Sequence, residues 1–341
     1  MSVRELREEL GRELPRNYYP PKYDIENDKH FNIDDMNFFL GERRSGKTTE
    51  SLKWNLVRRR LYPIVYCFSK TKHNNFWQQV LPDDKIAGDL NDDELEAVLR
   101  DIIEDQKIRY AMWKKTCAEG KVTGNPIIKI IFEDYITART LRNSDAMQEI
   151  CFNGRHVGIS CDIMSQDYIG MSPGERDNMD RFIVYRPDSG RTRNMLRESF
   201  GNEFLAVAER VWRDGRAIVI NKKKRVPTIE RLAWTEGDPE FNKKAIHRNL
   251  TLGNAAFWGD VDIVAQKEEF PYVELPSLST LRGQFNTKIG KRNSPEPEPI
   301  EIGNQEKPEE GDTALEGPPS KKPKITSDSR PLIGEESQLK F

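Results

Sequence analysis

The sequence has few cysteines, no long apolar run and almost no net charge, and each deficit excludes a class of protein. The four cysteines among 341 residues show no paired spacing, which argues against a disulfide scaffold. Cys151, His156 and Cys161 lack the C-x-x-C pair common in zinc sites, so we interpret them as packing residues. No apolar run approaches the roughly 20 residues of a transmembrane helix, and the first residues are too charged for a secretory signal. We expect a protein that is not secreted and has no membrane span.

Charge and proline are distributed unevenly along the chain. The formal net charge is −2, and residues 291–341 hold 8 basic residues, 11 acidic residues, 8 of the 20 prolines and one aromatic residue. That composition cannot bury a core and therefore predicts a disordered tail. The other 290 residues are close to neutral, so nucleic-acid binding must depend on local basic patches. The candidate patches are residues 58–60, 191–193 and 222–225, each of which can equally be solvated surface.

The most informative segment is a G-x-x-x-x-G-K-T loop that follows a short apolar run. Gly41 permits a tight turn, Gly46 lets the backbone approach phosphates, and Lys47 supplies positive charge for them. The Thr48 hydroxyl suits Mg²⁺, and the apolar spacing after it predicts a helix whose amino end favours phosphate. The pattern predicts ATP and Mg²⁺ as cofactors. The predicted ATP-binding residues are Gly41, Arg44, Ser45, Gly46, Lys47, Thr48 and Thr49.

Short apolar runs alternate with longer helical patterns over residues 36–235, which is typical of a mostly parallel sheet covered by helices. The predicted strands are 36–40, 63–69, 127–132, 157–165, 182–185, 217–220 and 228–234, the last two forming a terminal β-hairpin. The predicted helices are 3–14, 47–60, 92–117, 143–152 and 191–211. The sequence thus predicts an α/β P-loop NTPase with an amphipathic helix and linker (1–30), an ATPase domain (31–235), a C-terminal extension (236–285) and a disordered tail (286–341).

An acidic pair, Glu133 and Asp134, follows the apolar run at residues 127–132. The carboxyl end of a buried parallel strand is where ligands bind in open α/β sheets. Hydrolysis needs one carboxylate near Mg²⁺ and another group to orient or deprotonate water. We expect the pair to divide these tasks. The predicted metal-binding residues are Thr48 and Glu133, although which carboxylate is the base stays open.

A third segment, residues 152–166, contributes a polar amide and a cation. Gln166 follows an apolar strand and could sense the γ-phosphate or hold the attacking water, since an amide both donates and accepts hydrogen bonds. It could equally be a surface amide. Arg155 begins the same strand at the opposite edge, where it could reach the ATP of a neighbouring subunit or could cap the preceding helix. We interpret His156 as a packed or capping residue.

Several of these segments together resemble a known family. They are GERRSGKT in the phosphate loop, VYCFSKTKHNNFW, IIKIIFED and NGRHVGISCDIMSQD, followed by residues 176–180. They are similar to segments of the poxvirus-type genome-packaging ATPases of the FtsK–HerA superfamily, found in large and mid-sized eukaryotic DNA viruses, virophages and virus-like transposons. The resemblance covers roughly residues 30–235, and its third block, N-G-R-H before an apolar strand that ends in Ser165-Gln166, is the most specific.

The resemblance implies a homo-oligomeric ring of roughly five or six subunits that pumps double-stranded DNA into a preformed capsid, with the capsid or a portal vertex as its partner. It also implies that Lys47 and Thr48 bind phosphate and Mg²⁺, that Glu133 and Asp134 form the acidic pair, and that Gln166 is a sensor. The family usually places Asp first in the pair, whereas this chain has Glu133 first. Arg43 and Arg44 charge the loop unusually heavily and can face triphosphate, a neighbouring subunit or solvent.

Two other functions remain open at this stage. A P-loop kinase would need an acceptor site and a lid, whereas a nucleotide-gated capsid scaffold would bind ATP without hydrolysing it. The expected location is the host nucleus or a viral assembly site, with possible association with the virion. A cluster of Lys321, Lys322 and Lys324 in the tail can serve as a nuclear import signal or be solvated charge.

Overall fold

The computed structural model describes residues 1–253 apart from 16, 89, 120–125, 135–143, 169, 224–225 and 249. The predicted tail, its lysine cluster and most of the predicted C-terminal extension lie outside the described residues. Among the described helices, none combines the length and apolar character needed to cross a membrane.

The described chain is an α/β fold built on an eight-stranded sheet. The strands are β1 (Met36–Leu40), β2 (Val65–Ser69), β3 (Ile86–Ala87), β4 (Ile128–Glu133), β5 (Ile159–Ser165), β6 (Arg181–Val184), β7 (Ala217–Asn221) and β8 (Leu232–Thr235). Their order across the sheet is β3-β2-β4-β5-β1-β6-β7-β8. Neighbouring strands from β3 to β6 are parallel. The strands β7 and β8 complete the sheet in antiparallel pairing, as the predicted terminal hairpin requires.

The helices cover both faces of the sheet. They are α1 (Val3–Glu13), α2 (Lys47–Val57), α3 (Asp92–Ala118), α4 (Asp145–Asn153), α5 (Pro173–Asn178), α6 (Gly190–Arg213) and α7 (Pro239–His247). Phe38 and Leu40 of β1 belong to an apolar cluster with α1, α3, α4 and α6. Phe39, between them, belongs to a second cluster with α2 and α7. This alternation explains why the strands read as continuous apolar runs, since both sheet faces are buried.

The sequence predicted the α/β class and the parallel core correctly, and several boundaries wrongly. Residues 154–157 form a 3₁₀ helix rather than the start of β5, which begins only after Gly158 turns the backbone at φ 75°. Thr228–Glu230 is likewise a 3₁₀ helix, so β8 begins later than predicted. The elements β3, α5 and α7 were missed, because two strand residues or about two helical turns give little periodic signal.

Lys222, which follows β7, has a buried ammonium group. Its side chain is 2% exposed. Its Nζ donates a hydrogen bond of 2.6 Å to the backbone oxygen of Arg176 and lies 4.0 Å from a carboxylate oxygen of Asp177. Burial lowers the pKa of Lys222 to about 8, although Asp177 and Asp180 act in the opposite direction. The folded chain therefore releases this proton at lower pH than the unfolded chain does.

This pKa shift predicts that stability rises with pH in the weakly alkaline range. Between the folded pKa of about 8 and the ordinary value of 10.5, the unfolded state binds more protons than the folded state. The free energy of unfolding should increase across that range by up to about 3 kcal/mol. Denaturant unfolding at several pH values would measure the increase. The Lys222→Met variant should show a smaller increase, because it lacks this contribution while Lys47 and Lys223, whose pKa values burial also lowers, keep theirs. Parallel pH profiles of parent and variant would contradict the assignment.

Candidate nucleotide-binding site

The loop between β1 and α2 has the backbone shape that phosphate binding requires. Gly46 caps α2 with φ 100° and no side-chain capping bond, which leaves the amino end of the helix open. A Cβ atom on Gly41 would lie 2.5 Å from Ser45 Oγ and 2.8 Å from Tyr185 Cβ, so only glycine fits there. Arg44 also has a positive φ, 65°, and is a surface residue of the loop. The glycines predicted from the motif are therefore required sterically.

Lys47, the first residue of α2, points into the loop. Its Nζ donates hydrogen bonds to the backbone oxygens of Gly41 at 2.7 Å and Glu42 at 3.0 Å. The residue is 5% exposed. Burial lowers the pKa of its ammonium group, and the nearby carboxylates of Asp134 and Glu133 oppose that effect. The charge of Lys47 is thus held inside the loop, facing both members of the acidic pair.

The Thr48 hydroxyl donates a 2.6 Å hydrogen bond to Oε1 of Glu133. Both residues therefore present oxygen atoms at one point, as the predicted metal site requires. Mg²⁺ prefers oxygen ligands and is usually held by one or two carboxylates together with substrate phosphates and water. The residues present fit Mg²⁺ for this reason.

Glu133 and Asp134 differ sharply in their surroundings. Glu133 is buried, and its other oxygen, Oε2, accepts hydrogen bonds from Ser69, Thr71 and Trp77. Asp134 has a left-handed backbone, φ 44°. Its Oδ1 is buried without a hydrogen-bond partner among the described residues. Asp134 therefore keeps one oxygen without a described partner, whereas both oxygens of Glu133 accept hydrogen bonds.

Gln166 lies beside Asp134. Its Nε2 atom is 3.3 Å from Asp134 Oδ2, and the side chain is exposed. The sheet brings them together because β4 and β5 are parallel neighbours, so that their carboxyl ends meet at one edge. Gly41 N likewise donates to Ser165 O at 3.2 Å, which places the phosphate loop at the same edge. Gln166 is therefore an exposed amide next to Asp134, and its role toward the γ-phosphate or the attacking water stays a prediction.

The segment after β8 and the residue after β6 contact the phosphate loop and the start of α2 from the other side. Asn242 Nδ2 donates a 2.8 Å hydrogen bond to the backbone oxygen of Thr49. Gly237 packs against the Thr49 side chain, where an added Cβ would lie 3.3 Å from Thr49 Cγ2. Tyr185, after β6, donates through its hydroxyl to Gly46 O at 3.3 Å. These supports are contributed by elements outside the motif.

Arg155 lies at the opposite edge of the sheet, away from the other predicted site residues. It belongs to the 3₁₀ helix Gly154–Val157, so its prediction as the first residue of a strand is wrong. Its guanidinium donates to Asn178 O at 2.9 Å and to Asp180 Oδ2 at 2.6 Å, and its side chain is 42% exposed. A role toward a neighbouring subunit stays a prediction. His156 in the same turn is exposed rather than packed.

Arg181, the first residue of β6 at the same edge of the sheet, does not suit a role toward a neighbouring subunit. Its side chain is fully buried and paired with Asp28 and Asp35.

Two of the candidate basic patches contain cations that point into the protein. Arg58 is buried and its guanidinium stacks 3.8 Å from the centre of the Phe31 ring, and Lys223 Nζ lies 2.5 Å from a carboxylate oxygen of Asp35. Exposed arginines in the predicted patches are Arg60 and Arg191, whereas Lys224 and Arg225 lie outside the described residues.

Sequence reasoning missed the donors to Glu133 and the hydroxyl of Tyr185. Ser69 is the last residue of β2, which is the parallel neighbour of β4. A polar residue at the carboxyl end of an adjacent parallel strand is a usable signal. The contributions of Thr71 and Trp77 depend on the path of the following loop, which the sequence does not encode as a motif.

The chain matches no protein-family profile and no curated protein. Among solved structures, it is similar to the genome packaging NTPase B204 of Sulfolobus turreted icosahedral virus 2 with ATPγS, at 13% identity and TM-score 0.43, over 61% of this chain and 100% of that one. The conjugation coupling protein TcpA of pCW3, with ATPγS, has 13% identity and TM-score 0.48 over 69% and 74%. EssC of Geobacillus thermodenitrificans has 15% identity and TM-score 0.40 over 80% and 47%.

The surroundings of the acidic pair predict different effects for two conservative variants. Asp134→Asn should retain Mg²⁺-dependent ATP binding while hydrolysis falls by about 100-fold or more, the usual contribution of a general base. Glu133→Gln should lower hydrolysis too, and it should also weaken the Mg²⁺-dependent part of ATP binding. The reason is that an amide has only one oxygen, whereas Glu133 accepts hydrogen bonds through one oxygen from Thr48 and through the other from Ser69, Thr71 and Trp77. Equilibrium nucleotide binding with and without Mg²⁺, together with phosphate release, distinguishes them. Identical phenotypes would contradict the division of roles.

Proposed function

We propose that the protein is an ATPase that drives double-stranded DNA translocation and packages a viral genome into a preformed capsid. The observation that carries the ATPase part is the convergence of Lys47, Thr48, Glu133 and Asp134 at one edge of the parallel sheet. The packaging part rests on the sequence resemblance to poxvirus-type packaging ATPases. ATP and Mg²⁺ are the proposed cofactors.

In the proposed reaction, the backbone of the phosphate loop and Lys47 bind the β- and γ-phosphates of ATP. Mg²⁺, held through Thr48 and Oε1 of Glu133, would neutralise phosphate charge. The free Oδ1 of Asp134 accepts a proton from the attacking water while the amide of Gln166 orients that water. The water oxygen bonds to the γ-phosphorus as the bond to the ADP oxygen breaks, giving ADP and inorganic phosphate.

A ring of identical subunits is proposed because Arg155 lies at the edge opposite its own site and is partly exposed. Such an edge can face the nucleotide of the next subunit, where a cation stabilises charge on the transferred phosphate. To do so, Arg155 must exchange Asp180 for phosphate. Exposed cations such as Arg60 and Arg191 are available for the backbone of double-stranded DNA. The proposed location is the host nucleus or a viral assembly site, with a capsid or portal vertex as partner.

Lys47→Ala should abolish ATP hydrolysis without unfolding the chain, because no other ammonium group in the described loop reaches the phosphates. Phosphate release by the parent should increase when duplex DNA is added, as expected of a translocase. The matched control is Lys53→Ala, which removes a lysine of the same helix that bonds Glu236 O at 3.3 Å. Near-parental hydrolysis by Lys47→Ala would remove the ATPase proposal. Binding without turnover would favour the scaffold, and transfer to an acceptor would favour a kinase.

The proposed ring predicts complementation between two inactive variants. Arg155→Ala should hydrolyse slowly, and mixing it with Lys47→Ala should restore part of the activity, because mixed rings contain interfaces with an intact loop and an intact arginine. Phosphate release across a series of mixing ratios measures the rescue. The control is Arg12→Ala, which removes an exposed arginine of α1. This variant alone should release phosphate at the parental rate, without mixing with a second variant. Absence of rescue in verified mixed rings would exclude Arg155 as the shared residue.

A further inference from the structure

Three side chains outside the phosphate-loop and acidic-pair motifs converge on a single oxygen atom of Glu133. Ser69 Oγ donates to Oε2 at 2.6 Å, Thr71 Oγ1 at 3.0 Å and Trp77 Nε1 at 2.7 Å. Ser69 ends β2, Thr71 lies in the following turn, and Trp77 begins a short 3₁₀ helix. One segment, residues 69–77, therefore supplies all three described donors to this atom.

The three bonds determine which oxygen of Glu133 can face a metal. A carboxylate oxygen has about two lone-pair directions, so three donors leave Oε2 with no free direction. The oxygen that remains for metal coordination is Oε1, which already contacts Thr48 at 2.6 Å. Hydrogen bonds to ligating side chains orient those ligands and adjust metal affinity. The arrangement restricts Glu133 to one orientation and to contact through one oxygen.

Trp77 is the least replaceable of the three donors. Its indole is 1% exposed, and the ring packs edge to face against Phe76 at a centroid distance of 5.5 Å. A buried indole N–H can only donate, and it loses a hydrogen bond that water cannot replace if its acceptor turns away. Trp77 therefore opposes any rotation of Glu133 away from Thr48.

We propose that Trp77, with Ser69 and Thr71, is a positioning residue that holds Glu133 ready for Mg²⁺. The proposal rests on the ATPase function proposed above and deepens it. In this arrangement, the residue segment 69–77 sets the metal affinity of the nucleotide site although none of its side chains belongs to the loop or the acidic pair. The specific consequence is an effect on Mg²⁺ dependence, distinct from an effect on nucleotide binding itself.

The test is the Trp77→Phe variant, which removes the N–H donor and keeps an aromatic ring. The Mg²⁺ concentration for half-maximal binding of ATPγS should rise by about tenfold, the lower end for loss of such an outer hydrogen bond. Binding of ATPγS without Mg²⁺ should stay unchanged, because the loop is intact. Equilibrium binding measured across a Mg²⁺ titration gives both quantities without depending on turnover.

Trp54→Phe is a matched control. Trp54 is also 1% exposed, and its Nε1 donates at 2.6 Å to a buried carboxylate, that of Glu50 in α2. The control should lose a comparable amount of thermal stability and keep the parental Mg²⁺ dependence. If Trp77→Phe does not fold, the double variant Ser69→Ala/Thr71→Val removes the other two donors and should raise the Mg²⁺ requirement in the same way.

Two outcomes would overturn the proposal. One is a parental Mg²⁺ dependence in folded Trp77→Phe or in the double variant. The other is an equal increase in Trp54→Phe, which would indicate a general loss of packing. Failure of the proposed function is distinguishable, since the parent protein itself would then show no Mg²⁺-dependent binding of ATPγS.

Discussion

One buried carboxylate, that of Asp162 in β5, ties together the elements that carry the nucleotide site. It accepts hydrogen bonds from Asn37 of β1 at 2.7 Å, from Asn55 of α2 at 2.9 Å and from Lys129 of β4 at 2.5 Å. Burial acts to lower the pKa of Lys129, but Asp162 together with neighbours such as Tyr62 outweighs it and raises that pKa above its ordinary value. Desolvation offsets much of the attraction in a buried ion pair, so this network contributes chiefly by fixing the elements relative to one another.

That fixed arrangement explains how two adjacent carboxylates acquire different hydrogen-bond partners. Because β1 and α2 flank the phosphate loop and β4 ends at Glu133, the network sets where Lys47 and Thr48 lie relative to the acidic pair. Glu133 is then surrounded by donors on both oxygens. Asp134 lies one residue further on, beyond the strand, and keeps an oxygen without a described partner. Position along the chain at the end of one strand therefore gives two adjacent carboxylates different surroundings.

Local motifs in the sequence were sufficient for the parallel core and for the residues of the phosphate loop. Gly41 and Gly46 obey short-range steric rules, and the apolar run before Glu133 marks a strand buried on both faces. Local motifs did not predict the contacts between segments that lie far apart in the sequence. The donors Thr71 and Trp77 lie about 60 residues before Glu133, and the inward pairing of Arg181 with Asp28 spans 153 residues. No periodicity in a single sequence encodes such pairs.

The left-handed backbone of Asp134 determines where its carboxylate lies relative to that of Glu133. In a regular strand, successive side chains point to opposite faces, which would separate Asp134 from Glu133 across the sheet. A positive φ costs a non-glycine residue on the order of 1–3 kcal/mol, although aspartate tolerates it better than most. Here the turn keeps Asp134 N bonded to Met164 O at 3.2 Å and its carboxylate beside Gln166. Both carboxylates consequently act on Lys47 from the same edge, where the phosphates of a bound nucleotide would lie.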